Sequence, residues 1–389
     1  MQESSLAMTS ITLRRSACIL LLSLLLAACG GKSSVREPTP LQDIDAPRVN
    51  PSKAWTASGG NGMQREAIGL RLAVADGVVY VANQGGQVAA FDSASGKQIW
   101  RNKLDQRLLS GPGLADDMLL VGSRDGALLA LSKNAGELLW KTGVGSEIIA
   151  APAAANDIAV ARTIDGRVAS FDLDSGDRLW TIEHSVPTLT TRGAAPPLIV
   201  GGRVYAGLDN GEVVALDLAT GQYFWEQVIA LPTGRSDLDR MVDVDADLQI
   251  DDNTLYAVSI GGKLAALTLG NGQVRWKQSI ASTTGVALDQ QHVFVTDLDG
   301  IVHAVSRASG APVWTQDALK YRQLSAPVMY NGYLVVGDYE GYLHWLDPQT
   351  GDLVGRMHVL DSQILAPPVV AGGQLLVLGV DGRLAAVRE

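Results

Sequence analysis

Three carboxylates at alternate positions are the first candidates for chemistry in this chain of 389 residues. Asp243, Asp245 and Asp247 are separated by Val244 and Ala246. Oxygen-rich runs of this kind bind calcium in a loop that has glycine at its sixth position and glutamate at its twelfth. Those two positions hold leucine and threonine here, so the sequence predicts no calcium loop. The alternation of apolar and acidic residues predicts instead a half-buried strand with an acidic face.

Two histidines are the next candidates, because they occupy equivalent positions in consecutive repeats of the sequence. His303 and His344 could together hold a metal ion. The same position in other repeats is apolar, as at Ala169 and Val214, so packing or a local hydrogen bond is the favoured role. No spacing typical of a catalytic Ser-His-Asp or Cys-His set is visible. We therefore predict no catalytic activity, no metal site and no cofactor.

The N-terminus has the features of an export signal. Arg14 and Arg15 precede the apolar stretch 17–28, which is too short to span a bilayer. The stretch ends Leu-Ala-Ala-Cys-Gly, which resembles the lipobox of bacterial lipoproteins. The resemblance implies that residues 1–28 are a signal peptide and that Cys29 carries the lipid.

The residues after Cys29 bear on location. Lipoproteins with aspartate at the next position stay in the inner membrane; Gly30 stands there instead, so the resemblance implies the periplasmic face of the outer membrane. Residues 29–51 are rich in proline, serine and charge, which predicts a flexible tether. Cys18 leaves with the signal, so no disulfide can form within the mature chain. That chain has 29 basic and 40 acidic side chains, a net charge of −11 that opposes nucleic-acid binding.

A repeat with a period of about forty residues organises the rest of the chain. Its frame is a glycine, nine residues, a second glycine, three residues and a tryptophan. The frame occurs at Gly86/Gly96/Trp100, Gly126/Gly136/Trp140, Gly166/Gly176/Trp180, Gly211/Gly221/Trp225, Gly262/Gly272/Trp276 and Gly300/Gly310/Trp314. A seventh copy has Gly355 in the tryptophan position, and an eighth begins at Gly382.

Each repeat contains four short strand candidates separated by turn signals. A single four-stranded meander cannot bury both of its faces, whereas eight arranged in a ring can. The sequence therefore predicts an all-β, eight-bladed β-propeller of four-stranded antiparallel blades over residues 52–389. The last repeat lacks an outer strand, and Trp55 lies in an unassigned strand at the start. We expect this N-terminal strand to complete the last blade and to close the ring.

Aligning the repeats on the first glycine brings charged residues to one level of the ring. The position 19 residues earlier holds Arg107, Glu147, Arg192 and Asp243 in four consecutive repeats. One interpretation is a ring of alternating salt bridges; the other is a polar binding surface at the mouth of the central channel. The connections before Arg192 and Asp243 are longer than the repeat requires, and long loops often carry function in repeat scaffolds.

The blades resemble the quinoprotein-type repeat, as the stretch Gly211-Glu-Val-Val-Ala-Leu-Asp-Leu-Ala-Thr-Gly-Gln-Tyr-Phe-Trp225 illustrates. One family with this repeat is the pyrroloquinoline-quinone dehydrogenases. These enzymes are longer and use a vicinal cysteine pair and calcium carboxylates at the cofactor. The mature chain has no cysteine besides Cys29, which argues against these enzymes. A periplasmic quinoprotein-like ligand-binding protein or dehydrogenase that uses the central channel is kept as the alternative.

Over nearly its whole length the chain resembles the BamB family, lipoproteins of the machinery that assembles outer-membrane β-barrels. The resemblance implies a non-catalytic scaffold that binds the POTRA domains of the barrel subunit BamA and other subunits of the machinery. Unfolded outer-membrane protein clients could add to exposed strand edges. The stretches Val186–Gly193 and Leu231–Asp245 carry the family's contact residues. These residues are, in this sequence, Leu189, Thr191 in place of a leucine, Arg192, Asp243 and Asp245.

Overall fold

The computed structural model describes residues 36–62, 69–193 and 195–389, and the chain from Pro38 to Glu389 forms one unit. The predicted signal peptide and Cys29 lie outside the described residues. Within these described ranges, thirty-three strands build eight sheets. The first two are β1 (Ser52–Ser58) and β2 (Gly69–Leu70). No helix within the described residues is long and apolar enough to cross a membrane.

Seven blades are antiparallel sheets whose four strands follow one another in the chain. Blade 1 contains β3 (Leu72–Ala75), β4 (Val78–Ala82), β5 (Gln87–Asp92) and β6 (Gln98–Lys103); blade 2 contains β7 (Leu108–Ala115), β8 (Met118–Ser123), β9 (Ala127–Ser132) and β10 (Leu138–Gly143). Blade 3 contains β11 (Ala153–Ala155), β12 (Ile158–Arg162), β13 (Arg167–Asp172) and β14 (Arg178–Glu183); blade 4 contains β15 (Leu198–Val200), β16 (Arg203–Gly207), β17 (Glu212–Asp217) and β18 (Tyr223–Val228); blade 5 contains β19 (Gln249–Asp251), β20 (Thr254–Ser259), β21 (Lys263–Thr268) and β22 (Val274–Gln278). Blade 6 contains β23 (Val286–Leu288), β24 (His292–Thr296), β25 (Val302–Ser306) and β26 (Pro312–Gln316); blade 7 contains β27 (Val328–Tyr330), β28 (Tyr333–Gly337), β29 (Tyr342–Leu346) and β30 (Leu353–His358). Blade 2 also holds β2, which pairs in parallel with β7.

Blade 8 joins the two ends of the propeller. It contains β31 (Val369–Ala371), β32 (Gln374–Leu378) and β33 (Arg383–Arg388), with β1 as its outer strand. β1 and β33 pair antiparallel, from Ser52 opposite Arg388 to Ser58 opposite Arg383. The predicted eight-bladed propeller and its closure by the N-terminal strand are both confirmed.

The tryptophan and the second glycine of the repeat interlock neighbouring blades. Trp140 of blade 2 donates from its indole nitrogen to the carbonyl oxygen of Leu173 in blade 3, at 2.7 Å. Its ring lies against Gly176, where an added Cβ would come 2.7 Å from the ring. Seven junctions share the indole hydrogen bond, at 2.7–3.1 Å; the donors are Trp55, Trp100, Trp140, Trp180, Trp225, Trp276 and Trp314. The repeated residues are therefore packing residues between blades.

The predicted flexible tether differs from the structure in its second half. Residues 38–49, which we call the N-terminal strap, lie along blade 7 and are bonded to it. Val49 is buried, and both Arg48 and Val49 donate backbone hydrogen bonds to the carbonyl oxygen of Val354 in β30. Composition alone predicted a free segment because the strap has no periodicity; its order comes from the blade beneath it.

Candidate functional site

Two long connections between blades form the candidate site. One joins β14 to β15 and covers residues 184–197; the other joins β18 to β19 and covers residues 229–248. Each runs from the outer strand of one blade to the inner strand of the next, so both lie on the same face of the ring. Their enlargement was predicted from the repeat spacing. The second contains a short 3-10 turn at Leu238–Arg240.

The first connection presents one apolar and one basic side chain to solvent. Leu189 is 42% exposed, and the side chain of Arg192 is 60% exposed. Arg192 has a positive φ of 57°, an uncommon conformation for a residue with a Cβ. Its guanidinium donates to Glu147 at 2.5 Å. Leu189 and Arg192, two of the five predicted site residues, are therefore surface residues in a bent loop.

Asp243 and Asp245, by contrast, are buried beneath that loop, at 1% and 8% exposure. The backbone N–H of Thr191 donates to Asp243 at 3.3 Å, and the Thr191 hydroxyl donates to Asp245. A Cβ at Gly193 would lie 2.8 Å from a carboxylate oxygen of Asp245. The two aspartates thus fix the backbone of residues 191–193 from behind. The structure brings Thr191, Asp243 and Asp245 together, with Arg192 next to them on the surface.

The prediction of a half-buried strand with an acidic face at 242–248 is wrong. This segment is irregular, and β19 begins only at Gln249. It lies between turns of blades 4 and 5, where Val244 donates to the Leu208 carbonyl at 3.1 Å and the Asp243 carbonyl accepts from Ile260 at 3.0 Å. Residues 242–246 are buried on both sides of the segment. The alternating sequence pattern could not reveal this, because such a pattern indicates a strand with one solvent-exposed face.

Arg162 supplies the positive charge beneath the site. It is 2% exposed, donates to Asp209, and lies 3.9 Å from a carboxylate oxygen of Asp245. Burial raises the pKa of Asp245 to about 7, with the charge of Arg162 acting in the opposite direction. Burial likewise raises the pKa of Asp243 to about 6. Sequence reasoning missed Arg162, although a lone arginine at the end of the otherwise apolar strand β12 was a signal.

The same cluster has the donors of a cation site. Carboxylate oxygens of Asp209, Asp243 and Asp245 lie within 4.8 Å of one another, and hard cations prefer such ligands. The guanidinium of Arg162 already stands among these carboxylates, and its charge would repel a metal ion placed beside it. The arrangement therefore fits a buried ion-pair network better than a metal site.

Of the predicted ring of alternating charges, the described residues show a salt bridge at one junction. Glu147 and Arg192 form an ion pair between adjacent blades. The next member, Asp243, turns its carboxylate inward to the backbone N–H of Thr191. Of the two interpretations, salt bridging accounts for Glu147, whereas Asp243 belongs to the support of the loop.

The central channel is crossed by an ion pair next to this site. Arg71, which precedes β3 in blade 1, donates two hydrogen bonds to Asp247, which precedes β19 in blade 5, at 2.7 and 3.1 Å. A cavity of about 260 Å³ adjoins the pair, and its lining includes Thr191, Gly193 and Asp245. The loop support is thus also part of the channel wall.

The two aligned histidines have separate partners. His303 bonds to Asp297 at 2.8 Å, and His344 bonds to Asp338 at 3.0 Å. Asp297 also accepts from the backbone N–H of Ile301 in the following turn, at 2.9 Å. Each histidine therefore completes the hydrogen bonding of a turn aspartate in its own blade, as expected for a local bond and not for a shared metal.

Comparison with known proteins identifies the family. A family model described as "Outer membrane protein assembly factor BamB" matches residues 48–121, 84–316 and 299–389. A protein of that name from Alkalilimnicola ehrlichii is 52% identical over 96% of this chain and 97% of its own length. Another from Pseudomonas aeruginosa is 44% identical over 96% of this chain and 98% of its own. The chain belongs to the BamB family.

Solved structures agree with this assignment. The crystal structure of BamB from Moraxella catarrhalis superposes with a TM-score of 0.81 at 25% identity, covering 87% of this chain and all of that one. A quinohemoprotein alcohol dehydrogenase from Comamonas testosteroni has a TM-score of 0.68 at 13% identity, covering 87% of this chain and 76% of its own. At that identity the dehydrogenase shares the fold alone, so the quinoprotein alternative gains nothing beyond architecture from it.

Proposed function

We propose that the chain is a non-catalytic scaffold of the outer-membrane protein assembly machinery, held on the periplasmic face of the outer membrane by a lipid on Cys29. The family membership supports the role in assembly, and the lipobox-like sequence supports the anchor. Replacing Cys29 with serine is expected to abolish lipid labelling of the protein. Labelling that persists in Cys29→Ser would contradict the anchor.

The partner surface is the face formed by the two long connections, and its partner is the POTRA region of BamA. The observation that carries this assignment is the exposed pair Leu189 and Arg192 on a loop fixed by buried carboxylates. The second connection adds Leu231 and Leu238, which are 69% and 67% exposed. Exposed apolar side chains beside a charge are typical of the anchors and rim of a protein interface.

The five predicted site residues divide into two roles. Leu189 and Arg192 contact the partner: the leucine enters an apolar pocket and the guanidinium pairs with a carboxylate. Thr191, Asp243 and Asp245 hold the loop in its binding conformation. Asp243 and Asp245 are too deeply buried for direct contact with a partner unless the loop opens. Pre-organisation of this kind increases affinity because less conformational entropy is lost on binding.

A binding experiment with purified POTRA domains tests this proposal. Arg192→Glu is expected to abolish capture by the propeller. Arg383→Glu is the matched control, because the Arg383 side chain has similar exposure, at 57%, and also forms an ion pair, but lies in blade 8. Equal loss of binding in both variants would indicate a general charge effect. Unchanged binding of Arg192→Glu would place the partner elsewhere on the ring.

The supporting role has its own signature. Thr191→Val removes the hydroxyl that donates to Asp245 but leaves the loop surface unchanged. It should weaken POTRA binding by about five- to tenfold, as for the loss of one ordinary hydrogen bond of about 1 kcal/mol. Hydrogen exchange of the loop should rise in the free variant. A binding loss without faster exchange would mean that Thr191 touches the partner itself.

A second mode, capture of extended client segments at the blade edges, is favoured by the outer strands. The residue before the tryptophan is apolar and about half exposed in five blades: Ile99, Leu139, Leu179, Phe224 and Val313. An outer strand that also has free backbone groups can accept another strand. Site-specific crosslinking from position 139 to an unfolded barrel protein should yield an adduct that a folded barrel does not give. Equal adducts from both substrates would argue against edge capture.

A further inference from the structure

At the junction between blades 7 and 8, the outer strand β30 has no tryptophan for the interlock, and another part of the chain takes its place. Gly355 occupies the tryptophan position in β30. The Cβ of Val49, from the N-terminal strap, lies 3.0 Å from where a side chain at Gly355 would begin. Val49 belongs to one apolar cluster with Val354, Trp345 of blade 7 and Val387 of blade 8. The strap therefore fills the space that an indole fills at the other junctions.

The strap is also held along its length by hydrogen bonds. Arg48 and Val49 donate to the Val354 carbonyl at 2.8 and 3.2 Å. The strap also packs over Val354, which is only 2% exposed, whereas its counterpart Leu139 in blade 2 is 49% exposed. Arg48 pairs with Asp347 at 2.8 Å. These contacts add the strap to the outer edge of blade 7.

Two arginines fix the beginning of the strap. Arg322 donates to the carbonyl oxygen of Thr39 at 3.1 Å, and Arg356 donates to that of Gln42 at 2.8 Å. Both are oriented by fully buried groups: Arg322 donates to Asp338 at 2.8 Å, and Arg356 donates to His344 at 3.2 Å. The backbone N–H of Thr39 donates to the Lys320 carbonyl at 3.0 Å. The point where the chain joins the propeller is thus defined at blades 6 and 7.

This point sets the reach of a lipid anchor. An extended chain spans at most about 3.5 Å per residue, so Cys29 can lie no more than about 30 Å from Pro38. If the chain were free up to β1, the limit would be about 80 Å and no blade would be favoured. We propose that the strap makes the outer edge of blade 7 the side of the propeller that faces the lipid surface. The proposal rests on the lipidation proposed above.

Single-cysteine labelling tests this orientation. The mature chain has no cysteine besides Cys29, so a label can be placed at Asp352→Cys in blade 7 or at Asp177→Cys in blade 3. These exposed residues follow the second glycine of their repeats, and their blades are opposite one another in the ring. Lipidated protein is bound to vesicles of phosphatidylethanolamine and phosphatidylglycerol that contain headgroup-quencher lipid. Quenching should be several-fold stronger at position 352. Equal quenching, or stronger quenching at 177, would overturn the proposal.

Releasing the strap provides the second arm. Gly355→Trp places an indole where Val49 sits, and Val49→Asp puts a charge into the same apolar cluster. Either variant should bring the quenching at position 352 down to that at position 177, with vesicle binding retained. If a variant that melts as a folded protein still shows stronger quenching at position 352 than at position 177, the proposed role of the strap is overturned. Protein that does not float with vesicles would instead refute the lipid anchor, whereas flotation with equal quenching refutes the orientation alone.

Discussion

Arg71 and Asp247 come from blades on opposite sides of the ring and form a two-pronged ion pair across the channel. Their side chains are 26% and 28% exposed, so water screens the pair only in part. The pair links blades 1 and 5 directly, whereas the tryptophan interlocks link only neighbours. The channel mouth next to the proposed partner face is therefore braced across its diameter.

Removing this brace should cost more stability than removing a surface ion pair. Asp247→Asn is expected to lower the free energy of unfolding by about 2 kcal/mol, as for a hydrogen-bonded charge that loses its partner. Arg383→Met, which breaks the exposed pair with Asp361, should change it by no more than about 0.5 kcal/mol. Urea unfolding measures both. Equal effects would mean that the channel pair is as weak as a surface one.

The glycine under each tryptophan should tolerate alanine worse than a glycine in an open turn. Gly176 and Gly202 have the same φ of +74°, but a Cβ at Gly176 meets the Trp140 ring while one at Gly202 meets nothing within 4 Å. Gly202→Ala should cost about 1 kcal/mol for the left-handed backbone. Gly176→Ala should cost about 1–3 kcal/mol more, from overpacking against the indole. Similar urea midpoints for the two variants would show that the indole moves aside freely.

Stability should fall as the pH rises towards neutrality because of the buried carboxyls. The pKa of Asp245 is raised to about 7 by burial, so between about pH 4 and pH 7 the folded state binds a proton that the unfolded state has lost. The ionisation of Asp245 therefore lowers the free energy of unfolding as the pH rises across that interval. Asp245→Asn removes the titration and should flatten the curve, while Asp125→Asn, at an exposed carboxyl, should not. Parallel curves for wild type and Asp245→Asn would contradict a raised pKa of Asp245 in the folded state.

Arg162 should be among the residues of blade 3 least tolerant of replacement. Arg162→Met leaves Asp209 and Asp245 buried without their cation, a change that should lower the free energy of unfolding by about 3–5 kcal/mol. The pKa of Asp245 should rise further, because Arg162 opposes the effect of burial. Arg167→Met, at an ion pair on the surface of the same blade, serves as the control and should leave both nearly unchanged. Carboxyl titration followed by NMR, together with urea unfolding, measures the two effects.

Most of the fold could be predicted from the spacing of the repeats. The glycines and tryptophans recur because each junction needs the same interlock, so a linear pattern could predict the blades, their number and the closing strand. The spacing also marked the long connections that contain Leu189 and Arg192. Where the repeat has both its second glycine and its tryptophan, the structure has the interlock, as at Trp140 and Gly176.

Where a segment is shaped by contacts with other blades, the sequence was less informative. Asp243 and Asp245 alternate with apolar residues as a surface strand would, yet Arg162, some eighty residues earlier in the chain, lies beneath them. The strap has no pattern of its own; Val49 is ordered because Gly355 leaves room for it. Such long-range partners have no local signature in a single sequence.

The pairing of β1 with β33 has a consequence for how the ring is made. Ser52 meets Arg388 across the outer seam of blade 8, so the first strand of the propeller has no sheet to join until the last one exists. In a chain that emerges from its N-terminus, that strand has no partner until β33 has also emerged. Contacts between residues so far apart in the chain are slow to form. Closure of the ring therefore requires the whole propeller sequence, from β1 to β33.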